Sequence, residues 1–246
     1  MENTMQMTLG EMVVKDYRMA KVFEAFRIDY CCKGHLTLEE VCESKKIDAV
    51  AVMEGLDKIM DTQNEDITEL NFWPLNFLAD YIEKKHHRFV EERIPLLLLY
   101  LNKLCQVHGD VHRELLEITS LFGQAARELT AHIKKEESIL FPYIRKMLKK
   151  FREGSFVVNA PYFRSISNPI KMMMQEHENE GGRFAKIAAL TGNYTPPEHA
   201  CDTYKVTYAL LDEFERDLHR HIHLENNILF PKSIEFEGRA QQLLME

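Results

Sequence analysis

The chain contains one phrase twice: positions 132–142 read HIKKEESILFP and positions 221–231 read HIHLENNILFP. Each opens on a His, places a Glu four residues later and closes on Leu-Phe-Pro, giving His132, Glu136, Leu140, Phe141, Pro142 and His221, Glu225, Leu229, Phe230, Pro231. Residues four apart on an α-helix share a face, so each copy directs an imidazole and a carboxylate the same way. A single His-x-x-x-Glu is ordinarily a surface pair contributing a few tenths of a kcal/mol. Here both copies continue apolar stripes. Ile118, Leu121, Ala125 and Leu129 lead to His132, with Glu136, Ile139 and Leu140 beyond it; Leu211, Phe214 and Leu218 lead to His221, then Glu225 and Ile228. An ionised carboxylate buried without a partner is very costly, and a metal ion supplies one. Two such helices face to face bring four ligand groups into a bundle interior.

Composition agrees with an all-α chain. Gly (10) and Pro (8) are scarce among 246 residues, and strand-like alternation is nearly absent. A hydrophobic share of 45% with 28% charged residues is that of a globular protein with a real core. The net charge of −8 argues against nucleic acid or an anionic membrane as partner. No run approaches a membrane span, and the N-terminus lacks the basic and apolar regions of a signal peptide, so a cytoplasmic location is expected. Five scattered cysteines, Cys31, Cys32, Cys42, Cys105 and Cys201, do not form a disulfide framework.

The periodicity predicts a small helical N-terminal domain over 1–66, a linker over 67–74 and a four-helix bundle over 75–246. In the first, Thr8/Glu11 and Thr37/Glu40 are capping boxes, Asp48 caps a further helix, and the turn at 28–35 carries Cys31-Cys32. Its limited core would suit packing against a second chain, as in a homodimer. In the second, helices are expected from about Leu75 to Val107, Asp110 to Lys150, Asn168 to Gly192 and Pro197 to Phe230, with a long connection between Phe151 and Asn168. Short connections make the bundle up-down-up-down.

The third bundle helix offers His177 on the stripe of Ile170, Met173, Met174 and Phe184, and Gly181 leaves space beside it. The first offers His86 and His87, between which the period does not decide. One His from each of these helices, with His132, Glu136, His221 and Glu225, makes four imidazoles and two carboxylates. That is too many for one tetrahedral zinc. Mixed nitrogen and oxygen ligation with bridging carboxylates suits two iron or manganese ions, with room for an oxo or hydroxo bridge. His219 and His223 lie about 200° around the helix from His221 and are expected in solvent; Glu91, four after His87, is expected there too.

These histidines with the paired H-x-x-x-E…LFP phrases resemble hemerythrin-like di-iron domains. With DYCC (29–32), HH ahead of Pro95, VHGD (107–110) and QEH (175–177), the chain resembles the di-iron family that repairs iron–sulfur clusters after oxidative or nitrosative damage. The resemblance implies a hemerythrin-like bundle holding two iron ions, with manganese or zinc as substitutes, and damaged iron–sulfur proteins as partners. It implies His87 as the first-helix ligand, and roles beside the metals for Glu128 and Glu176. It also implies that Cys31 and Cys32 contact transferred iron or take part in redox chemistry, and Lys33 would lower a thiol pKa there. The family's cysteine pair is commonly followed by two glycines, whereas this chain has Lys33-Gly34, a poor fit if position 33 needs positive φ. The alternative function is a sensor binding O2 or nitric oxide, or a nitric oxide reductase.

Overall fold

The computed structural model describes residues 2–60, 70–154 and 164–243, and every regular element among them is helical. The expected linker falls outside the described residues through position 69, as does most of the 151–168 connection.

The N-terminal unit comprises α1 (Glu2–Met5), α2 (Leu9–Lys15), α3 (Met19–Ala25), α4 (Leu38–Lys45) and α5 (Ala49–Met60). Both capping boxes form, at Thr8/Glu11 and Thr37/Glu40. The two cap threonines also pair across an isolated antiparallel bridge. The helix opened by Thr8 stops at Asp16 and a separate helix resumes at Met19. Asp16 adopts an extended φ of −152°, and its carboxylate accepts the Arg18 backbone N–H at 2.9 Å. A side chain that offers the backbone a local acceptor competes with the helix ladder.

Four long helices follow. α6 runs through Leu75–Tyr81, a π-helical stretch Ile82–His87 and Arg88–His108. α7 runs through Glu114–Lys135, π-helical Glu136–Leu140 and Phe141–Arg152. α8 is Ser167–Leu190. α9 runs through Asp202–Leu224, π-helical Glu225–Leu229 and Phe230–Gln242. Thus α7 and α9 start about one turn later than their sequence period suggested, and α9 continues well past Phe230. Each helix packs on the next and α9 on α6, closing an up-down-up-down bundle. No described helix is long and apolar enough to cross a membrane.

Two apolar clusters fill the interior, with a polar layer between them. The upper one joins the N-terminal unit to Val90, Leu97, Leu129, Phe184, Leu218 and Ile222. Phe122, Phe184 and Phe214 meet there at ring-centroid distances of 5.4–6.4 Å, contacts that add about 0.5–1.5 kcal/mol per pair beyond area burial. The lower cluster holds Leu78, Ile82, Leu140, Phe141, Ile170, Met173 and Ile228–Phe230. On α6, α7, α8 and α9 alike, the residues between the clusters are the histidines and glutamates singled out above.

Candidate metal centre

Each π-helical stretch sits where a candidate ligand must be aimed inward. Pro142 and Pro231 follow two of these stretches as the second residue of the next α-helical segment. A proline has no N–H for the helix ladder, and its ring collides with the carbonyl four residues back. A wider turn relieves both problems, and such turns are frequent at functional sites. Widening also moves the inward face. Ile139, expected on the stripe, is 49% exposed, while Leu140 and Phe141 take the buried positions. Phe141 then stacks on His87 at 5.5 Å, and Phe230 on His177 at 5.9 Å. The Phe of each phrase thus orients an imidazole from another helix.

The structure brings His87, His132, Glu136, His177, His221 and Glu225 together, each no more than 3% exposed. They form two overlapping donor sets, His87/Glu136/His221/Glu225 and His132/Glu136/His177/Glu225, sharing both carboxylates. Glu136 lies 3.4 Å from His87 Nε2 and 3.3 Å from His132 Nε2. Glu225 lies 3.2 Å from both His177 Nε2 and His221 Nε2. Yet all four carboxylate oxygens, with His87 Nε2 and His221 Nε2, are buried without a hydrogen bond among the described residues. Such atoms are close but not aligned to one another; they converge on points between them. Three of the four outward nitrogens are already used: Glu137 accepts from His87 Nδ1 at 2.9 Å, Glu176 accepts from His132 Nδ1 at 2.8 Å, and Asn226 Oδ1 lies 2.8 Å from His177 Nδ1. Outward N–H bonds leave Nε2 free to ligate. His132 Nε2 and His177 Nε2 approach to 3.0 Å, which requires a positive species between them. In the metal-free chain that species is a proton. Burial opposes the charge on His132, but Glu136, Glu176 and Glu225 outweigh burial and push its pKa up to about 10. Glu225 is held well below its ordinary value, burial being outweighed by His221 and His177. The donor set therefore fits two divalent cations, each offered two nitrogens and two shared carboxylates.

His86 is buried as fully as His87 but belongs to neither set; its Nδ1 meets Asp217 at 2.9 Å. Glu176 accepts from His132 and pairs with Lys135; the His132 bond first, against burial and with Lys135, brings its carboxyl down to about 2. Glu128 is placed elsewhere, 56% exposed and 3.0 Å from Arg183. Glu176→Gln is therefore expected to weaken metal binding by about 10–100-fold, the usual effect of losing a partner that orients a ligand. Glu128→Gln should leave it unchanged, and chelator-competition titrations of both variants check the contrast.

The cysteine turn lies directly against this cluster. Asp29 Oδ1 accepts the backbone N–H groups of Cys31 and Cys32, at 3.2 and 2.9 Å, and the Cys31 thiol at 3.3 Å. Cys32 Sγ donates to the His177 carbonyl at 3.4 Å. The space expected beside Gly181 is filled by that thiol, since a Cβ there would stand 3.2 Å from it. Lys33 does not have positive φ, so the departure from two glycines strains nothing; Gly34 is required instead because a Cβ would meet the Tyr30 carbonyl at 2.8 Å. The expectation of a lowered thiol pKa fails for Cys31. The Cys32 hydrogen bond, burial and Asp29 push it well up.

His223 is likewise not in solvent. It is 1% exposed, packs on Tyr17 and Tyr30, and burial lowers its pKa to about 3, with Arg220 adding to the shift. His219, on the same face, has a quarter of its side chain exposed and lies against Tyr30. Both point away from the bundle core as counted, but the N-terminal unit covers that face. Glu91 is 53% exposed. Sequence reasoning missed Asn226 and Asn227. Asn226 Oδ1 meets His177 Nδ1 at 2.8 Å and its Nδ2 donates to the Cys31 carbonyl at 3.1 Å; Asn227 Nδ2 donates to the Tyr30 carbonyl at 3.1 Å. The available signal was a pair of amides directly after a core-facing Glu, because buried amides need partners.

Comparison with known proteins agrees with this arrangement. Residues 78–233 match the family model described as the hemerythrin HHE cation binding domain, and residues 5–60 match a domain of unknown function (DUF542). A protein of Musicola paradisiaca (strain Ech703), named iron-sulfur cluster repair protein YtfE, is 32% identical over 235 residues, covering 94% of this chain and 97% of its own. The protein of the same name from Yersinia pseudotuberculosis serotype O:1b (strain IP 31758) is 33% identical over 230 residues, with the same coverage. A hemerythrin-type bundle joined to that N-terminal region, matched along nearly the whole length of both chains, places this protein in the iron–sulfur cluster repair family of hemerythrin-domain proteins.

Proposed function

We propose that this chain holds two iron ions in the cluster and uses them to restore iron–sulfur clusters damaged by oxidative or nitrosative stress, with iron as the cargo. His87 and His221 would hold one ion and His132 and His177 the other, with Glu136 and Glu225 common to both. Iron in such a nitrogen and oxygen setting supplies an exchangeable, redox-active Lewis acid. The chain's own residues do the rest. Phe141 and Phe230 wall the imidazoles from water, Glu137, Glu176 and Asn226 fix their orientation, and the shared carboxylates offset the ions' charge.

The observation that carries the repair reading is the contact between the cysteine turn and His177. A protein that only stores or senses a gas has no need of a dithiol against one of its metal-binding imidazoles. Cys31 also lines a cavity of about 780 Å³ together with Asp29, Lys33, Gly181 and His219, which gives the turn a route to solvent. Clients are then damaged iron–sulfur proteins, met in the cytoplasm.

Iron-loaded protein mixed anaerobically with an enzyme whose cluster has been damaged by peroxide or nitric oxide should restore that enzyme's activity while losing its own iron. Metal-free protein should not. Failure of the loaded protein, with reversible binding of O2 or nitric oxide seen in its absorption spectrum, would replace this reading by the gas-binding one.

A further inference from the structure

The side-chain amide of Asn226 is 6% exposed and joins two parts of the molecule that are 146 residues apart, the Cys31 carbonyl and the His177 ring. A carbonyl oxygen only accepts hydrogen bonds, so the amide must turn its NH2 toward Cys31. Its oxygen then faces His177 Nδ1, which must carry the proton. His177 Nε2 is thereby left as a lone pair directed at Glu225 and His132. The backbone of the cysteine turn thus fixes the tautomer of a candidate metal ligand through one rigid, planar group. The turn touches His177 a second time through the Cys32 thiol on its carbonyl. Asn227, in the same π-helical stretch, clamps the preceding carbonyl of Tyr30. The other donor set has no such tie. His87 is oriented by Glu137 of the bundle, and His221 Nδ1 has no hydrogen-bond partner among the described residues.

We propose that Asn226 is a positioning residue that couples docking of the Cys31–Cys32 turn to retention of the ion held by His132 and His177, making that ion the one released when the turn moves. This rests on the reading of the cluster as a two-metal site. An ion on Nε2 locks the His177 ring, hence the amide, hence the Cys31 carbonyl. Displacing the turn frees the amide to rotate and deprives His177 of its acceptor. Coupling of this kind is reciprocal, so occupancy should steady the turn as much as the turn steadies the ion.

The test loads wild type and Asn226→Asp with ferrous iron under anaerobic conditions. Aspartate still accepts from His177 Nδ1 but cannot donate to Cys31. In wild type, loading should slow deuterium exchange across residues 28–36, and removal of iron by a chelator should follow two phases. In Asn226→Asp, one phase should accelerate by about tenfold or more with the other unchanged, and loading should no longer slow exchange at 28–36. Release curves that superimpose, or exchange at 28–36 that ignores loading in wild type itself, would overturn the coupling; the second result does not depend on the variant folding. A wild-type chain that takes up no iron would overturn the two-metal reading, and the coupling with it.

Discussion

Glu225→Ala is expected to empty both metal positions, whereas His87→Ala should empty one. Glu225 belongs to both donor sets, with one oxygen 3.2 Å from His177 Nε2 and the other 3.2 Å from His221 Nε2. In the proposed two-ion arrangement its removal would take a ligand from each ion and one of the two negative charges that would offset two cations at close quarters. His87 serves only the set that includes His221. Metal analysis after gel filtration should therefore fall from about two ions per chain toward none in Glu225→Ala, and toward one in His87→Ala. The metal-free alanine variant should also be less stable, by about 3 kcal/mol, because the buried charge on His132 loses one of the carboxylates that compensate it. Glu91→Ala, which removes only an exposed carboxylate 3.7 Å from Arg88, should retain full occupancy. Two ions retained by Glu225→Ala would refute the shared-carboxylate arrangement.

The contrast between Glu225 and Glu91 marks how far the sequence could be read. Both follow a His by four residues, but Leu-Phe-Pro follows only Glu225, which also lies on an apolar stripe; that stripe exists because burial is periodic in a regular helix. Where the helix ceases to be regular, counting fails. Ile139 was assigned inward by a 3.6-residue period, but the π-helical stretch Glu136–Leu140 hands its place to Leu140 and Phe141. The same irregularity left His86 and His87 undecided. Both lie at the end of the π-helical stretch Ile82–His87, in which the period drifts, both are buried, and only the partner across the bundle tells them apart: Asp217 for one, Glu136 for the other.

Contacts between distant segments were harder still. His223 points away from the bundle axis as counted, yet no local pattern announces that Tyr17 and Tyr30 close over it. Lys33 beside the cysteines suggested a positive environment, but the folded turn brings Asp29 onto the Cys31 thiol instead. Asn226 carries no periodic signature at all, because its partners lie on α8 and in the N-terminal turn. The bundle and its polar layer follow from local chemistry. What orients that layer depends on which distant groups the fold sets beside it.

Metal binding should displace a proton and strengthen steeply with pH. In the metal-free chain His132 is pushed up to about 10 from an ordinary 6.5, so at neutral pH it carries a proton on the nitrogen that an ion would need. Affinity should then rise by about tenfold per pH unit for each proton displaced, equivalent to about 1.4 kcal/mol, and by about a hundredfold between pH 6.5 and 8.5 for one proton. Stability of the metal-free chain should move the other way. The raised pKa of His132 contributes stability that is fully present below 6.5 and lost as pH rises toward about 10. The lowered pKa values of Glu136 and Glu225 contribute stability present above 4.5 and lost as pH falls through their depressed values. These groups therefore favour the metal-free fold most between pH 4.5 and 6.5, while the increment from bound metal grows above that window. Thermal melts with and without zinc(II), which does not change oxidation state, should diverge as pH rises from 6 to 8.5. Calorimetry at pH 7 in two buffers of different ionisation enthalpy should report close to one proton released with the ion that occupies the His132 side. Binding without proton release would mean that His132 is neutral before the ion arrives, and that the carboxylates around it do not outweigh its burial.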